Sequence, residues 1–293
     1  MPRVSVIIPA FNAEAFIDET IESVLAQTIS DLELVVVDDG SSDSTRSRVT
    51  RFGPPVRLLL QERGGPAKAR NAGAAAGQGE WVAFLDADDL WLPNKLELQL
   101  AEASRSGAAL LFTDRYNIGE RGPLPERQSD IQPLVDGDIF EPLLFGNFIT
   151  TSTVLLRREA FEAAGRFSED PTLPPAEDWD FWLRVAHDHR AAACREPLVR
   201  YRHHMSGISR NVVRMNTARH RVISRALALP RGQALPKDRK RRIWGDTWST
   251  NGWDAARNGD RSKALQAYMR SIAACPWRID PYLGIARVLL SKT

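Results

Sequence analysis

Only two cysteines occur in 293 residues, Cys194 and Cys275. They are too few and too far apart for a disulfide framework or a cysteine-based zinc site, and buried thiols in a reducing compartment are the expectation. No uninterrupted apolar stretch approaches the ~20 residues that span a bilayer. A charge excess of one sign is missing too: 39 Lys and Arg stand against 37 Asp and Glu, a net charge of +2. A general nucleic-acid binder needs a clear basic surplus for its phosphate contacts. Glycine is absent where many nucleotide enzymes need it. The first strand-like run ends in Ile8-Pro9-Ala10-Phe11-Asn12-Ala13-Glu14. Without G-x-G-x-x-G there, a dinucleotide enzyme is disfavoured, and no G-x-x-x-x-G-K-[ST] occurs to suggest a P-loop.

What is present is an alternation of short apolar runs and helical patterns. Val4–Ile8, Leu32–Val37, Val56–Leu60, Trp81–Leu85 and Ala108–Thr113 read as strands, each aliphatic and each ending at a polar or turn residue. Their near-continuous apolar character suits strands covered on both faces, as in a mostly parallel sheet. Glu14–Gln27, Ser44–Phe52, Pro66–Ala76 and Pro93–Ser106 read as helices, with Pro66 and Pro93 at first-turn positions. The order predicts an α/β fold, doubly wound, with ligands beyond the carboxyl ends of the strands. Asn117–Gly146 reads as a long connection, Thr151–Leu156 as a further strand, and Glu159–Ala164 and Asp178–His187 as helices. After about Asn211 helical pattern dominates. Asn251–Leu290, with its Gly259-Asp260 turn, Ala264-Leu265, Tyr268 and Pro276, resembles one tetratricopeptide-like hairpin. The expected division is a catalytic domain over 1–210, with halves of about 1–115 and 116–210, and a helical C-terminal region over 211–293.

Five segments carry candidate chemistry. Phe84-Leu85-Asp86-Ala87-Asp88-Asp89 gathers three carboxylates where a strand ends. Charges ~4 Å apart repel by about 1 kcal/mol in water and about 4 kcal/mol at an effective dielectric near 20. Such a cluster wants water, a base or a cation. Magnesium or manganese suits hard oxygen ligands and keeps places for substrate phosphates, although a solvated turn before a helix explains the acids equally well. Asp38-Asp39-Gly40-Ser41-Ser42-Asp43 again places acids after a strand, either to accept from a base or ribose or to form an Asp-Gly turn with an Asp cap. Arg63-Gly64-Gly65-Pro66-Ala67-Lys68-Ala69-Arg70 leads flexible glycines into a basic helix start, which can hold a diphosphate or simply face solvent. Glu177-Asp178-Trp179-Asp180-Phe181-Trp182 opens a helix with acids that its dipole favours. One of them can serve as a general base beside an aromatic floor. His203-His204 offers a metal ligand or a phosphate donor.

In this order and spacing, the segments from Val4 to about Ser209 resemble glycosyltransferase family 2, with the GT-A fold. The resemblance implies a GT-A type, Rossmann-like mostly parallel sheet flanked by helices, with the C-terminal helices appended. It also implies a nucleotide-sugar donor, UDP-linked by preference, a divalent cation (Mn2+ or Mg2+) and inversion at the anomeric carbon. Pro9, Ala10, Asn12 and Glu14 would line the base and ribose pocket. Asp39 would contact the nucleoside with Asp38 beside it, and Lys68 and Arg70 would fall in the stretch closing over the nucleotide. Asp86-Ala87-Asp88 matches the D-x-D motif, with Asp88 for metal and Asp86 for ribose or metal. Glu177-Asp178 matches the family's E-D pair, with Asp178 as base. His203 or His204 lies where some members place a metal-contacting residue. One departure is Gly165-Arg166-Phe167-Ser168, where many relatives show Gly-Gly-Phe-Asp, so the acceptor does not transfer with the motif.

The expected enzyme is a hexosyltransferase of bacterial surface-polysaccharide or glycan assembly, acting on a glycan or lipid-linked acceptor. Its expected location is the cytoplasm, with the Arg-dense stretch Arg195–Arg242 offering peripheral contact at the inner membrane face. Two other readings stand beside it. A non-catalytic docking protein of the same fold would show loss of the acids. A sugar nucleotidyltransferase would show a glycine-rich loop after the first strand and would release pyrophosphate.

Overall fold

The computed structural model describes residues 2–119, 126–203 and 212–290. Contacts divide the chain into two units. One comprises Met1–Leu143, Asn147–Asp170 and Glu177–Gly207, and the other Leu144–Gly146, Pro171–Ala176 and Ile208–Thr293.

The first unit is built on an eight-stranded sheet. Its strands are β1 (Val4–Ala10), β2 (Leu32–Asp38), β3 (Val56–Leu60), β4 (Trp81–Phe84), β5 (Leu90–Trp91), β6 (Leu110–Gly119), β7 (Leu155–Arg157) and β8 (Ala191–His203). They lie in the order β3-β2-β1-β4-β7-β6-β8-β5. Pairings among β3, β2, β1 and β4 and between β6 and β8 are parallel, whereas β7 runs against both neighbours and β5 runs against β8. The sheet is thus mixed, yet only β5 and β7 oppose the common direction. One edge therefore collects the carboxyl ends of β1, β2, β4, β6 and β8.

Helices α1 (Ile17–Leu25), α2 (Thr45–Thr50), α3 (Pro66–Ala76) and α4 (Lys95–Ser106) alternate with the early strands. Period-two alternation decides which side each strand residue faces. Val4, Val6 and Ile8 of β1 share a core with Ile17, Ile21 and Val24 of α1 and with Leu96 and Leu100 of α4. Each fully buried aliphatic side chain contributes about 1.5–3 kcal/mol. Ile7 points the other way, against α3. A Cβ at Gly73 would lie 2.4 Å from Ile7 Cγ2. Gly73→Ala is therefore expected to lower stability by about 1–3 kcal/mol in urea unfolding, because overpacking outweighs the ~1 kcal/mol helix-propensity gain. Farther along that side, Phe84 meets Phe167 edge-on at 5.1 Å, and Phe167 lies 4.3 Å from Phe181.

Several boundaries differ from the sequence expectation. Helix α1 starts at Ile17 rather than Glu14, because residues 12–14 are held in a loop by hydrogen bonds to residues 41–45. The expected strand Thr151–Leu156 is a 3-10 turn, Thr151–Thr153, followed by β7. The Thr151 and Ser152 hydroxyls donate to the distant Asp178 and Asp89, and the Thr153 hydroxyl donates back to Thr150 O. Strand β8 had no sequence signal of its own. Glu196 and Pro197 interrupt its apolar pattern, and its register against β6 shifts around Asp114. Helices α5 (Phe140–Leu143), α6 (Arg158–Ala163) and α7 (Glu177–Asp188) complete this unit.

The second unit holds α8 (Val212–Ala228), α9 (Pro230–Ala234), α10 (Lys237–Arg257), α11 (Arg261–Ala274) and α12 (Asp280–Leu290). Tyr268 of α11 is its pivot. A Cβ would come within 2.7 Å of that ring at Gly252 of α10 and within 2.3 Å at Gly284 of α12. Two glycines thus let three helices converge on one aromatic side chain, beside buried Ala264 and Val288.

Candidate functional site

The carboxyl edge of β1 and β2 is a knitted pair of loops. Asn12 adopts φ 47°, a left-handed conformation that Asn tolerates better than most residues. Its side-chain oxygen accepts from the Ser42 backbone N–H at 2.9 Å, and the Glu14 carboxylate accepts from Ser44 N–H at 2.9 Å. Ala10 is buried and its carbonyl accepts from Asp39 N–H at 2.8 Å, while Pro9 is half-buried. Asp38 Oδ1 accepts from Ser41 N–H at 3.2 Å.

Asp39 is 4% exposed and accepts from Gln61 Nε2 at 2.6 Å, Gly64 N–H at 2.7 Å and Gly65 N–H at 2.8 Å. Its carboxylate therefore shapes the glycine loop that opens α3. Gly65 has φ 88°, which glycine adopts without steric penalty. The stem of exposed Lys68 lies against Gly64, where an added Cβ would come within 2.3 Å of Lys68 Cδ. Arg63 stacks 3.7 Å above the Phe11 ring, closing the loops of β1 and β3 over one another.

Arg70 joins the second group. It is 5% exposed, and its two terminal nitrogens fork to Asp86 Oδ1 at 2.7 Å and Glu177 Oε1 at 3.1 Å. Burial works against its charge, but the two carboxylates hold the guanidinium protonation above its ordinary range. The fork links the D-x-D stretch after β4 to the start of α7, 107 residues away in sequence between Arg70 and Glu177. Beneath it lies Phe167, whose ring centroid is 5.4 Å from the guanidinium carbon. Asn71 fixes that ring. Its amide donates to Phe167 O and Glu169 Oε1, both at 2.9 Å, and its oxygen accepts from Phe167 N–H at 3.0 Å.

Asp178 follows Glu177 on α7. Its Oδ1 accepts from Trp179 N–H at 2.6 Å, and its Oδ2 accepts from Asn147 Nδ2 and Thr151 Oγ1, both at 3.2 Å. Burial and the neighbouring Glu177 push this carboxyl up to about 7, against the opposing pull of Arg70. It is partly open to solvent. A partly open carboxylate titrating near neutrality suits a general base.

Within the acidic triplet, Asp86 and Asp88 are partly exposed and Asp89 is fully buried. Asp89 is a structural member. It accepts from Ser152 Oγ at 2.5 Å and from Arg202 N–H at 2.9 Å, pinning the 3-10 turn and the end of β8. Burial, then Asp88 and Asp86, hold its carboxyl well above the ordinary range. Arg202 Nε also donates to Asp88 O at 2.9 Å. His203 Nε2 lies 3.1 Å from Asn117 Oδ1, and its ring meets Tyr201 edge-on at 4.9 Å. His204 lies outside the described residues. Among the described residues no three His, Cys, Asp or Glu gather as a metal site. The structure thus brings Arg70, Asp86, Glu177 and Asp178 together, while Asn12, Glu14 and Asp39 serve the neighbouring loops.

Sequence reasoning missed Asn71, Asn147, Thr151 and Ser152, which position these groups. The hydroxyl run Thr150-Thr151-Ser152-Thr153 was the available signal. A cavity of about 740 Å³ between α4 and the start of β8, lined in part by Glu102, Arg105 and Cys194, contains none of the predicted site residues.

The description of glycosyl transferase family 2 matches residues 5–214. The chain belongs to that family. It is 34% identical over 215 residues to the UDP-Glc:alpha-D-GlcNAc-diphosphoundecaprenol beta-1,3-glucosyltransferase WfgD of Escherichia coli, covering 71% of this chain and 80% of that protein. In one longer relative the match covers 31% of its length. Among solved structures, S. aureus TarS 1-349 in complex with UDP-GlcNAc superposes with a TM-score of 0.69 at 20% identity, covering 94% of this chain and 82% of that one. The mannosyltransferase PcManGT from Pyrobaculum calidifontis, in complex with GDP-Man and Mn2+, gives 0.63 at 21% identity, covering 99% and 80%. At these identities the structural likenesses establish the fold, a GT-A type sheet with helices on both sides. This family 2 glycosyltransferase is an enzyme, and its described residues contain no helix long and apolar enough to cross a membrane.

Proposed function

We propose that this enzyme transfers a hexose from a UDP-sugar to a hydroxyl of a lipid-linked or glycan acceptor, with inversion and with a divalent cation, in surface-polysaccharide assembly. The observation that carries this reading is the Arg70 fork, which sets Asp86 beside Glu177 and Asp178 at the sheet edge. WfgD supports the donor and the lipid diphosphate acceptor, and TarS supports a uridine nucleotide.

Asp86 and Asp88 fit a hard divalent ion. They would supply the carboxylate oxygens that such an ion takes. The cation-bearing complex of PcManGT supports this. Such an ion supplies Lewis acidity toward the departing diphosphate. Asp178 accepts the acceptor's proton as its oxygen attacks the anomeric carbon, and one displacement with one base inverts that centre. Asn147 and Thr151 hold the base by its Oδ2. Arg70 offsets part of the charge of Asp86 and Glu177 from a buried, two-armed position, which favours a preorganised site. Lys68 and Arg63 at the glycine loop favour the nucleotide's phosphates.

Calorimetry with UDP, GDP and their sugars, with manganese and with chelator, tests this. UDP should bind tightly only with the metal, and Asp88→Ala should weaken binding at least about tenfold. Metal-independent binding, or no loss in Asp88→Ala, would sink the cation assignment.

A further inference from the structure

The second unit carries a charge of its own. Residues 212–290 contain sixteen Lys and Arg against five Asp and no Glu, a net charge of +11 in a chain whose total is +2. The same unit leaves apolar surface uncovered. Helix α12 packs inward through Pro281, Gly284 and Val288. Its other side exposes Tyr282, Leu283, Ala286, Leu289 and Leu290, continued from Ile279 just before the helix. Leu283, Leu289 and Ile279 are 52%, 63% and 72% exposed. Asp280 and Arg287 flank this face, and a contiguous exposed apolar face marks a contact surface. Among the described residues, protein covers only the Pro281, Gly284 and Val288 side of α12.

The charge and the apolar face meet at one corner. Trp277, 60% exposed, stands between α11 and α12 with the Arg241 guanidinium carbon 5.6 Å from its ring. Arg242 shares a small cavity with Trp277 and with Arg278, whose charge is met there by Asp246 and Asp280, so Arg241 and Arg242 carry the positive charge of the corner. At the far end, Arg261 donates to Val288 O at 2.5 Å and exposed Arg287 follows on the helix itself. Arginines thus frame both ends of the apolar stripe, and an indole stands at its rim. Cation, aromatic rim and aliphatic centre match the headgroup, interface and acyl layers of an anionic bilayer. A second protein copy would bring the same positive charge to the contact and repel it.

We propose that the outward face of α12, with Trp277, Arg241 and Arg242 at its corner, seats this unit on an anionic lipid bilayer. The inference stands apart from the catalytic reading, because lipid binding requires no turnover. Co-sedimentation of the full chain with phosphatidylcholine vesicles, and with vesicles containing phosphatidylglycerol, tests it. Binding should rise about tenfold or more with the anionic lipid and fall with added salt. Leu283→Asp with Leu289→Asp should reduce binding to the anionic vesicles about tenfold, and melting curves confirm that the variant folds. Arg241→Gln with Arg242→Gln should bring anionic-vesicle binding toward the neutral level, an independent check if the first variant unfolds. Equal binding to both vesicle types, or wild-type binding by both variants, would overturn the proposal. So would a lipid-free oligomer that the aspartate variant converts to monomer in light scattering, which would make the stripe a contact between copies.

Discussion

Arg70→Met is expected to cost about 3–5 kcal/mol of stability and to abolish most transfer activity. The stability loss follows from what the fork leaves behind. Glu177 is 6% exposed and Asp86 partly so, and both lose their cation at once. Removing one partner from a buried charge network costs far more than the net worth of the network, because the remaining charges stay desolvated. Methionine matches the stem and can still cover Phe167, so lost packing contributes little. Activity has its own route to failure. Arg70 is the first of three groups, with Trp179 N–H and the Thr151 hydroxyl, that hold the Asp178 carboxyl down against burial and Glu177. Without it that carboxyl must rise above about 7, and less of the base is ionised at neutral pH. The acid limb of the kcat/KM profile should therefore move to higher pH in whatever folded protein remains. Arg70→Lys separates the two effects. A lysine ammonium is a point charge and cannot fork to two carboxylates in a fixed plane. It should recover part of the stability and shift the acid limb less. An unchanged acid limb in Arg70→Met would mean that Arg70 does not govern the base.

The residues that announced themselves in the sequence did so for one reason. Buried parallel strands are continuous apolar runs, so acids at their carboxyl ends stand out against them. Trp81–Phe84 followed by Asp86, Asp88 and Asp89, and Leu32–Val37 followed by Asp38 and Asp39, are legible in this way. What could not be read was which acids face chemistry and which hold loops. Asp39 and Asp89 look like site residues in the sequence, and in the structure each also holds neighbouring backbone or hydroxyls from a buried position. The distinction depends on Gly64, Gly65, Ser152 and Arg202, whose contacts leave no periodic trace. The same is true of Asn71, which grips Phe167 across 96 residues. Arg166 shows the converse. It adopts φ 60°, a left-handed conformation that costs a side-chain-bearing residue about 1–2 kcal/mol. Arg184 donates to Arg166 O at 2.7 Å and Glu162 pairs with its guanidinium, which helps to hold the strained turn. The β8 strand was hidden because only four of its thirteen residues are buried and Pro197 breaks its pattern, although its end supplies Arg202 to the acidic loop.

Asp178→Asn should lower turnover about 10²–10⁴-fold while leaving donor binding near normal. The amide cannot take the acceptor's proton, but it lies on α7 rather than in the loops of β1 and β3, so the nucleotide side is undisturbed. The pH dependence fixes the assignment. On the proposed mechanism the ionised Asp178 is the active form, so wild-type kcat/KM should fall tenfold per pH unit below about 7 and flatten above it. The variant should show a low rate without that limb. Stability should move in the opposite sense. A carboxyl whose folded-state value lies near 7, against an ordinary 3.8, binds its proton more tightly in the folded chain than in the unfolded one. Its ionisation therefore opposes folding, with no effect below about 4, a growing one between 4 and 7, and the full effect above 7. Asparagine removes that penalty. Its gain is reduced because the new amide group must meet Asn147 Nδ2 and Thr151 Oγ1, both donors to the carboxylate in the wild type. The Thr151 hydroxyl can rotate to accept, but Asn147 must flip its amide. A rise of no more than about 1 kcal/mol at pH 8, vanishing at pH 4, is the expected result of denaturant titration. Lost turnover together with a pH-dependent gain in stability identifies a desolvated base. Lost turnover with equal destabilisation at both pH values would instead make Asp178 a structural cap of α7, and the proton acceptor would have to be sought elsewhere.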